Sequence, residues 1–230
     1  KTFVEATSEL FELADINYSF GEHKVKTQRD YKYPKEVPLG DKKETYEYLK
    51  TRHISEATAD YLDIRQDGKG NMVFNYYDTN DVLTTVKYRP HKRIQKGEIK
   101  TWCQPEADTT PILFNMNRIN PSKPLLITSG ELDCASAIEA GYTNAVSIPF
   151  GDQNTHWVRE CWDFLEQFPS IIICHDNDSS GIKYSKEIMP RLGSWRCKIA
   201  QVPEFFTKNS GEKVPIKDLN QTLVLLGKEK

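Results

Sequence analysis

The sequence has no long hydrophobic run: its most apolar stretches, such as Ser170 to Cys174, are strand-sized and fall far short of the roughly 20 residues a membrane span needs. It has no surplus of charge either. Thirty-one Lys and Arg residues face 33 Asp and Glu, a formal net charge of −2, which excludes a uniformly basic nucleic-acid coat but leaves room for a local basic patch. The five cysteines (Cys103, Cys134, Cys161, Cys174, Cys197) are scattered, odd in number and without a C-x-x-C pair, so buried thiols in a reducing compartment are expected. A P-loop, a G-x-G-x-x-G after a strand and a hydrolytic G-x-S-x-G are all missing. No initiator Met or signal peptide precedes Lys1-Thr2-Phe3, which reads as part of something longer. What is there is a 38% hydrophobic, 11% aromatic chain, enough to bury a core.

Phe3 to Leu13 carries a weak helical stripe. From His23 to Pro38 a polar run rich in Lys and Tyr suits an extended linker, either a solvated tether or a nucleic-acid contact. Asp41 to Asp63 reads as two short helices, the second capped by Ser55. Met72 to Tyr76 and Leu83 to Tyr88 flank an Asp78-Thr79-Asn80-Asp81 turn and form a hairpin. After Pro121 strands and helices alternate. Strands are expected at Pro124–Thr128, Ala145–Ile148, Ser170–Cys174 and Arg196–Val202, and helices at Leu132–Ala140, Thr155–Phe168, Gly181–Leu192 and Ile216–Leu226. Four short apolar runs separated by helices mean a parallel, helix-covered sheet, hence an α/β fold.

In open α/β sheets ligands bind beyond the carboxyl ends of the strands. Those ends carry Ser129-Gly130-Glu131-Leu132-Asp133, Pro149-Phe150-Gly151-Asp152 and His175-Asp176-Asn177-Asp178. Clustered carboxylates raise one another's pKa unless a cation sits between them, and oxygen donors favour Mg²⁺ or Mn²⁺ over zinc. Asp178 or Ser179 can equally just cap the next helix, and His175 is more often packed than catalytic. A second feature is basic: Lys87, Arg89, Lys92, Arg93, Lys96 and Lys100 oppose Glu98 across fourteen residues. Strand alternation puts Lys87 and Arg89 on one face, where they can meet phosphates or remain a solvated hairpin edge.

The run Leu126-Ile127-Thr128-Ser129-Gly130-Glu131-Leu132-Asp133, the turn Asn144 to Gly151, and Ile173-x-x-Asp176-x-Asp178-x-x-Gly181 resemble the TOPRIM fold. The closest likeness is to the primase part of phage-type replicative primase–helicases, related to Twinkle and DnaG-type primases. Tyr31-x-Tyr33-Pro34, Leu113-Phe114-Asn115 and Lys217-Asp218-x-Asn220 resemble further elements of that family in the same order. The resemblance implies residues 1–40 as a linker or N-terminal extension, 41–121 as a smaller α+β subdomain and 122–230 as a TOPRIM domain, packed across a cleft.

It further implies DNA primase chemistry: metal-dependent synthesis of short RNA primers from nucleoside triphosphates on a single-stranded DNA template. A helicase domain is implied in the same parent chain or in trans, in the cytoplasm of a bacterial or phage-infected cell, with no membrane partner. Carried over by position, Asp133, Asp176 and Asp178 are catalytic carboxylates, and Asp176, Asp178, Asp133 and Asp218 hold Mg²⁺ or Mn²⁺; Glu131 joins the catalytic set only if the turn differs from the family's. Lys87 and Arg89 bind nucleotide, and Lys92, Arg93 and Lys96 bind nucleic acid. The family's first catalytic Glu is replaced by Ser129, with Glu131 two positions on. That departure admits a non-catalytic TOPRIM DNA-binding module of a replicative helicase, and a TOPRIM nuclease is a third reading, since the same carboxylates can direct water instead of a 3′ hydroxyl.

Overall fold

The computed structural model describes residues 30–228, without 93, 96, 152 and 153, together with Glu9 and Leu13. Apart from those two residues, the stripe at Phe3 to Leu13 lies outside the described residues, as do Arg93, Lys96 and Asp152. The chain divides into two compact units, residues 1–31 and 32–230, and the second contains all the strands described.

Two short helices come first in that unit, α1 (Lys43–Thr51) and α2 (Glu56–Tyr61). Ser55 caps α2 as its sequence position suggests, its hydroxyl accepting from the Thr58 N–H. An antiparallel sheet follows in the order β1 (Arg65–Gln66), β2 (Met72–Tyr77), β3 (Leu83–Arg89), β4 (Trp102–Cys103). Alternation divides its faces. Met72, Phe74 and Tyr76 enter the main core, whereas Val73, Val86 and Tyr88 form a small cluster on the other side with Val37 and Trp102. The segment expected to be a tether or a nucleic-acid contact is tied down from Lys32 to Val37. Lys32 exchanges bonds with Asp108 (2.8 and 2.9 Å), Lys35 with the Gln104 amide (2.7 and 2.9 Å), and Arg65 Nη1 donates to Val37 O at 2.7 Å.

Beyond Pro121 the parallel sheet is present, in the order β6 (Ala145–Ser147), β5 (Leu125–Thr128), β7 (Ile171–Cys174), β8 (Cys197–Ile199). Helices α3 (Glu131–Glu139), α4 (His156–Glu160), α5 (Trp162–Leu165), α6 (Ser179–Leu192) and α7 (Leu219–Leu226) accompany it. The helix expected over Thr155 to Phe168 is thus broken at Cys161. A hairpin of β9 (Phe205–Thr207) and β10 (Lys213–Pro215) precedes α7. One apolar core runs from Tyr48 and Leu49 of α1 through Phe74 and Phe114 to the sheet and Leu223 of α7. Among the described residues no helix is long and apolar enough to cross a membrane.

Glu139, at the end of α3, joins α2 to the last residues described. It accepts from Ser55 N (2.9 Å), Ser55 Oγ (2.7 Å) and Thr58 Oγ1, and pairs with Lys228 Nζ at 2.5 Å. Burial alone would raise its pKa, but these donors pull it from the ordinary 4.5 to about 2. A depressed carboxylate pKa contributes stability that is present above pH 4.5 and is lost as pH falls towards about 2. Glu139→Gln is therefore expected to lower unfolding free energy at pH 7 by about 1–3 kcal/mol. In urea unfolding the gap between the two proteins should close on acidification, and a gap independent of pH would dissociate the carboxylate from this role.

Candidate functional site

The carboxyl ends of β5 and β7 deliver Ser129 and Asp176 side by side, because these strands are neighbours in parallel register, Thr128 opposite Cys174. The Ser129 hydroxyl accepts the Asp176 N–H at 3.0 Å and fastens one strand exit to the other. Asp178 caps α6, its Oδ1 accepting from Ser180 N (3.1 Å) and Gly181 N (3.0 Å). Those backbone bonds, the Gly181 one foremost, hold its pKa below the ordinary value. The capping role weighed from sequence is real, and it leaves Oδ2 facing Lys217 Nζ at 3.2 Å. Asp218 caps α7 in the same way, through Gln221 N at 2.7 Å. Asn177 N donates to Lys217 O at 2.6 Å, which locks the β7 exit to the start of α7.

Asp133, in the first turn of α3, accepts from Asn220 N at 3.0 Å. Burial, then the negative charges of Asp218 and Asp176, push its carboxyl up to about 8. Asp176 is also raised, by burial first and Asp218 later, against the pull of Lys217, whose Nζ lies 3.2 Å away, and of Ser129. Asp133, Asp176, Asp178 and Asp218 therefore do gather at one end of the sheet.

Glu131 and Lys87, expected as a catalytic carboxylate and a nucleotide ligand, are paired with each other. The inner face of β3 turns Lys87 into the core side of the antiparallel sheet, where its Nζ meets Glu131 Oε1 at 2.7 Å and Pro149 O at 2.6 Å. Tyr76 donates to the same Glu131 oxygen at 2.5 Å. Burial would raise the Glu131 pKa, but Lys87 and Tyr76 hold it below the ordinary value. The two groups satisfy one another, each side chain only 9% exposed. Glu131 and Lys87 are thus each other's partner in this structure, on the wall of a cavity that both line.

Arg52, Arg89 and Lys100 line one cavity of about 390 Å³ with Ser129, Asp133 and Asp218, and the Lys87–Glu131 pair forms part of the same wall. Arg52 is absent from the residues that the sequence singles out. It sits just after α1 and reaches Asn220, 168 residues away, by a 3.2 Å bond, a pairing with no local sequence signal. Lys92 is exposed and paired with Glu98 at 2.8 Å. His175 is buried and stacks on Tyr184 with ring centroids 5.1 Å apart, the packed role favoured for it.

Among the described residues, no three His, Cys, Asp or Glu side chains are arranged to hold a metal ion. In kind, however, the donors suit a hard divalent cation. They are all oxygen, and the raising of Asp133 by Asp218 and Asp176, and of Asp176 by Asp218, is the behaviour of carboxylates with too little positive charge among them.

A parallel sheet whose strand exits bear Asp-x-Asp and a partnering Asp, closed by Lys-Asp-x-Asn, matches a known family: residues 126–221 fit the Toprim-like domain. This segment is similar to the Toprim-like domain, and the fold of the chain is like that of a primase fragment. It aligns over 88% of its length with the crystal structure of the primase fragment of the bacteriophage T7 primase-helicase protein, covering 80% of that chain at a TM-score of 0.63 and 23% identity. In sequence it is 29% identical over 208 residues to the Twinkle homolog protein, chloroplastic/mitochondrial, of Arabidopsis thaliana, and 27% identical to the primase homolog protein of the same plant. Each alignment takes in 83% of this chain but 27% and 57% of those proteins, so the chain corresponds to a part of each.

Proposed function

We propose that this chain is the RNA-polymerase module of a replicative primase. It joins ribonucleotides on single-stranded DNA and releases pyrophosphate, working beside a helicase in the same parent chain or in trans, in a compartment that replicates DNA. The observation that carries this reading is the juxtaposition, across one cavity, of Asp133 and Asp218 with Arg52, Arg89 and Lys100. Asp176 and Asp178 would hold Mg²⁺ or Mn²⁺, with Asp133 and Asp218 beside them. When bound, such an ion supplies charge neutralisation for a triphosphate. Arg52, Arg89 and Lys100 hold phosphates, and Lys92, Arg93 and Lys96 follow the nucleic-acid backbone.

One observation favours a second reading, a Toprim-like module that binds DNA without polymerising. The family's first Glu is Ser129, whose hydroxyl is taken by the Asp176 N–H, and Glu131 is held by Lys87 and Tyr76. A hydroxyl cannot accept a proton near neutral pH as a carboxylate does.

The test is extension of a pre-annealed primer with Mg²⁺ or Mn²⁺. Asp176→Asn is expected to abolish extension, and Ser129→Glu to raise it about tenfold or more, roughly 1.4 kcal/mol of barrier. Ser129→Glu adds a fifth carboxylate to Asp133, Asp176, Asp178 and Asp218, so without divalent ions it should also lower the melting temperature. Single-stranded DNA binding with no extension by any variant would select the second reading. Equal extension by wild type and Asp176→Asn would overturn the first.

A further inference from the structure

Two guanidinium groups at the edge of one cavity repel each other, and free side chains would swing apart. Here they converge on one oxygen. The Tyr48 hydroxyl accepts from Arg52 Nε (3.2 Å) and Nη2 (2.9 Å) and from Arg89 Nη2 (3.4 Å). The Arg52 guanidinium also lies 5.3 Å from the Tyr48 ring centroid. Tyr48 is 8% exposed and belongs to α1, packed in the main core, so its oxygen is a fixed point. From Arg52 the contacts continue to the acidic side. Arg52 Nη1 donates to Asn220 Oδ1 at 3.2 Å, Asn220 Nδ2 donates to Arg52 O at 3.0 Å, and Asn220 N donates to Asp133.

Arg52 and Arg89 line both the cavity over the carboxylates and a second, of about 990 Å³, that runs past Lys217 to Val224 and Leu225. Arg89 Nε is buried there without a hydrogen-bond partner among the described residues, a donor left for a ligand. Burial alone would raise the Tyr48 pKa, yet Arg89 and Arg52 bring it below the ordinary value, consistent with two cations drawn to one oxygen.

We infer that Tyr48 is a positioning residue: its hydroxyl gathers Arg52 and Arg89 into a paired cradle for a phosphate-bearing ligand, a polyphosphate tail or a nucleic-acid backbone. This rests on the proposed primase function, in which those two arginines take phosphates. A bare tyrosine–arginine packing contact would stabilise the fold without setting the spacing of the guanidinium groups. Tyr48→Phe keeps the ring and its packing and removes the hydroxyl, so it separates the two roles.

Binding of inorganic tripolyphosphate and of a thymidine oligonucleotide is measured for the wild type, Tyr48→Phe, Arg52→Gln, Arg89→Gln and Tyr48→Phe/Arg89→Gln, with melting temperature recorded for each. Tyr48→Phe is expected to weaken tripolyphosphate binding about tenfold while melting within a few degrees of the wild type. The double variant should bind no worse than Arg89→Gln, because the hydroxyl acts through the arginine pair. A loss confined to tripolyphosphate assigns the cradle to a triphosphate tail, and a loss confined to the oligonucleotide assigns it to the strand. Additive losses, or wild-type binding by Tyr48→Phe beside weakened Arg52→Gln and Arg89→Gln, would overturn the positioning role alone. Wild-type binding by both arginine variants would overturn the phosphate role on which it rests.

Discussion

Lys87→Met is expected to destabilise the protein by about 3–5 kcal/mol in the absence of any ligand, because it leaves the Glu131 carboxylate buried without its cation. Glu131→Leu alone should cost a similar amount, by stranding the Lys87 ammonium against Pro149 O and the Tyr76 hydroxyl without an acceptor. The double variant Lys87→Met/Glu131→Leu should recover most of the loss, since well-packed apolar residues of similar size often replace a buried ion pair at little cost. Urea unfolding of the three variants and the wild type gives the coupling directly. A Lys87→Met protein of nearly unchanged stability would mean that the ion pair does not hold the fold, and a double variant no better than the singles would break the pair apart.

Gly181→Ala should be nearly as severe, for a steric reason. A Cβ at Gly181 would stand 2.2 Å from Asp176 O, 2.9 Å from its carbonyl carbon and 3.0 Å from its nitrogen. All three are backbone atoms, and that peptide cannot retreat. Asp176 N is bonded to Ser129 Oγ, and the next amide is bonded to Lys217 O at 2.6 Å. Overpacking against fixed backbone is expected to cost about 3 kcal/mol or more. The damage would fall on the Asp176–Asp178 turn, so Mn²⁺ titration should lose whatever response the wild type shows. A Gly181→Ala protein with native melting temperature and native titration would mean that α6 does not pack this closely on β7.

Much of the parallel half is legible because its signals are local. Leu125 to Thr128, Ala145 to Ser147 and Ile171 to Cys174 are short apolar runs ended by polar turns, and each becomes a strand. Asp178 and Asp218 stand before helices and become their caps. The hairpin Phe205 to Pro215 escapes a reading of the sequence, although Asn209-Ser210-Gly211 marks its turn, because its strands are three residues each and too short to show a period.

The site itself is half legible. Alternation correctly places Lys87 and Arg89 on one face of β3, but which face is buried depends on α3, whose Glu131 lies 44 positions on and claims Lys87. Tyr48, Arg52 and Asn220 come from opposite ends of the chain, and no spacing rule links them. Lys32 and Lys35 read as tether because their partners, Asp108 and Gln104, are some seventy residues away.

The seam between the parallel sheet and the segment before it governs how the protein avoids its neighbours. A sheet edge offers unpaired main-chain groups to any passing strand. On β6 that flank is sealed by Phe114, which exchanges bonds with Ser147 at 3.0 and 3.4 Å. In the other sheet, the residues after β4 are sealed by Lys32 and Lys35. Each seal is supplied by chain far away from, or just outside, the sheet that it protects. Separating the chain at Pro121 and removing the segment before it would thus bare the β6 edge and make it a template for aggregation.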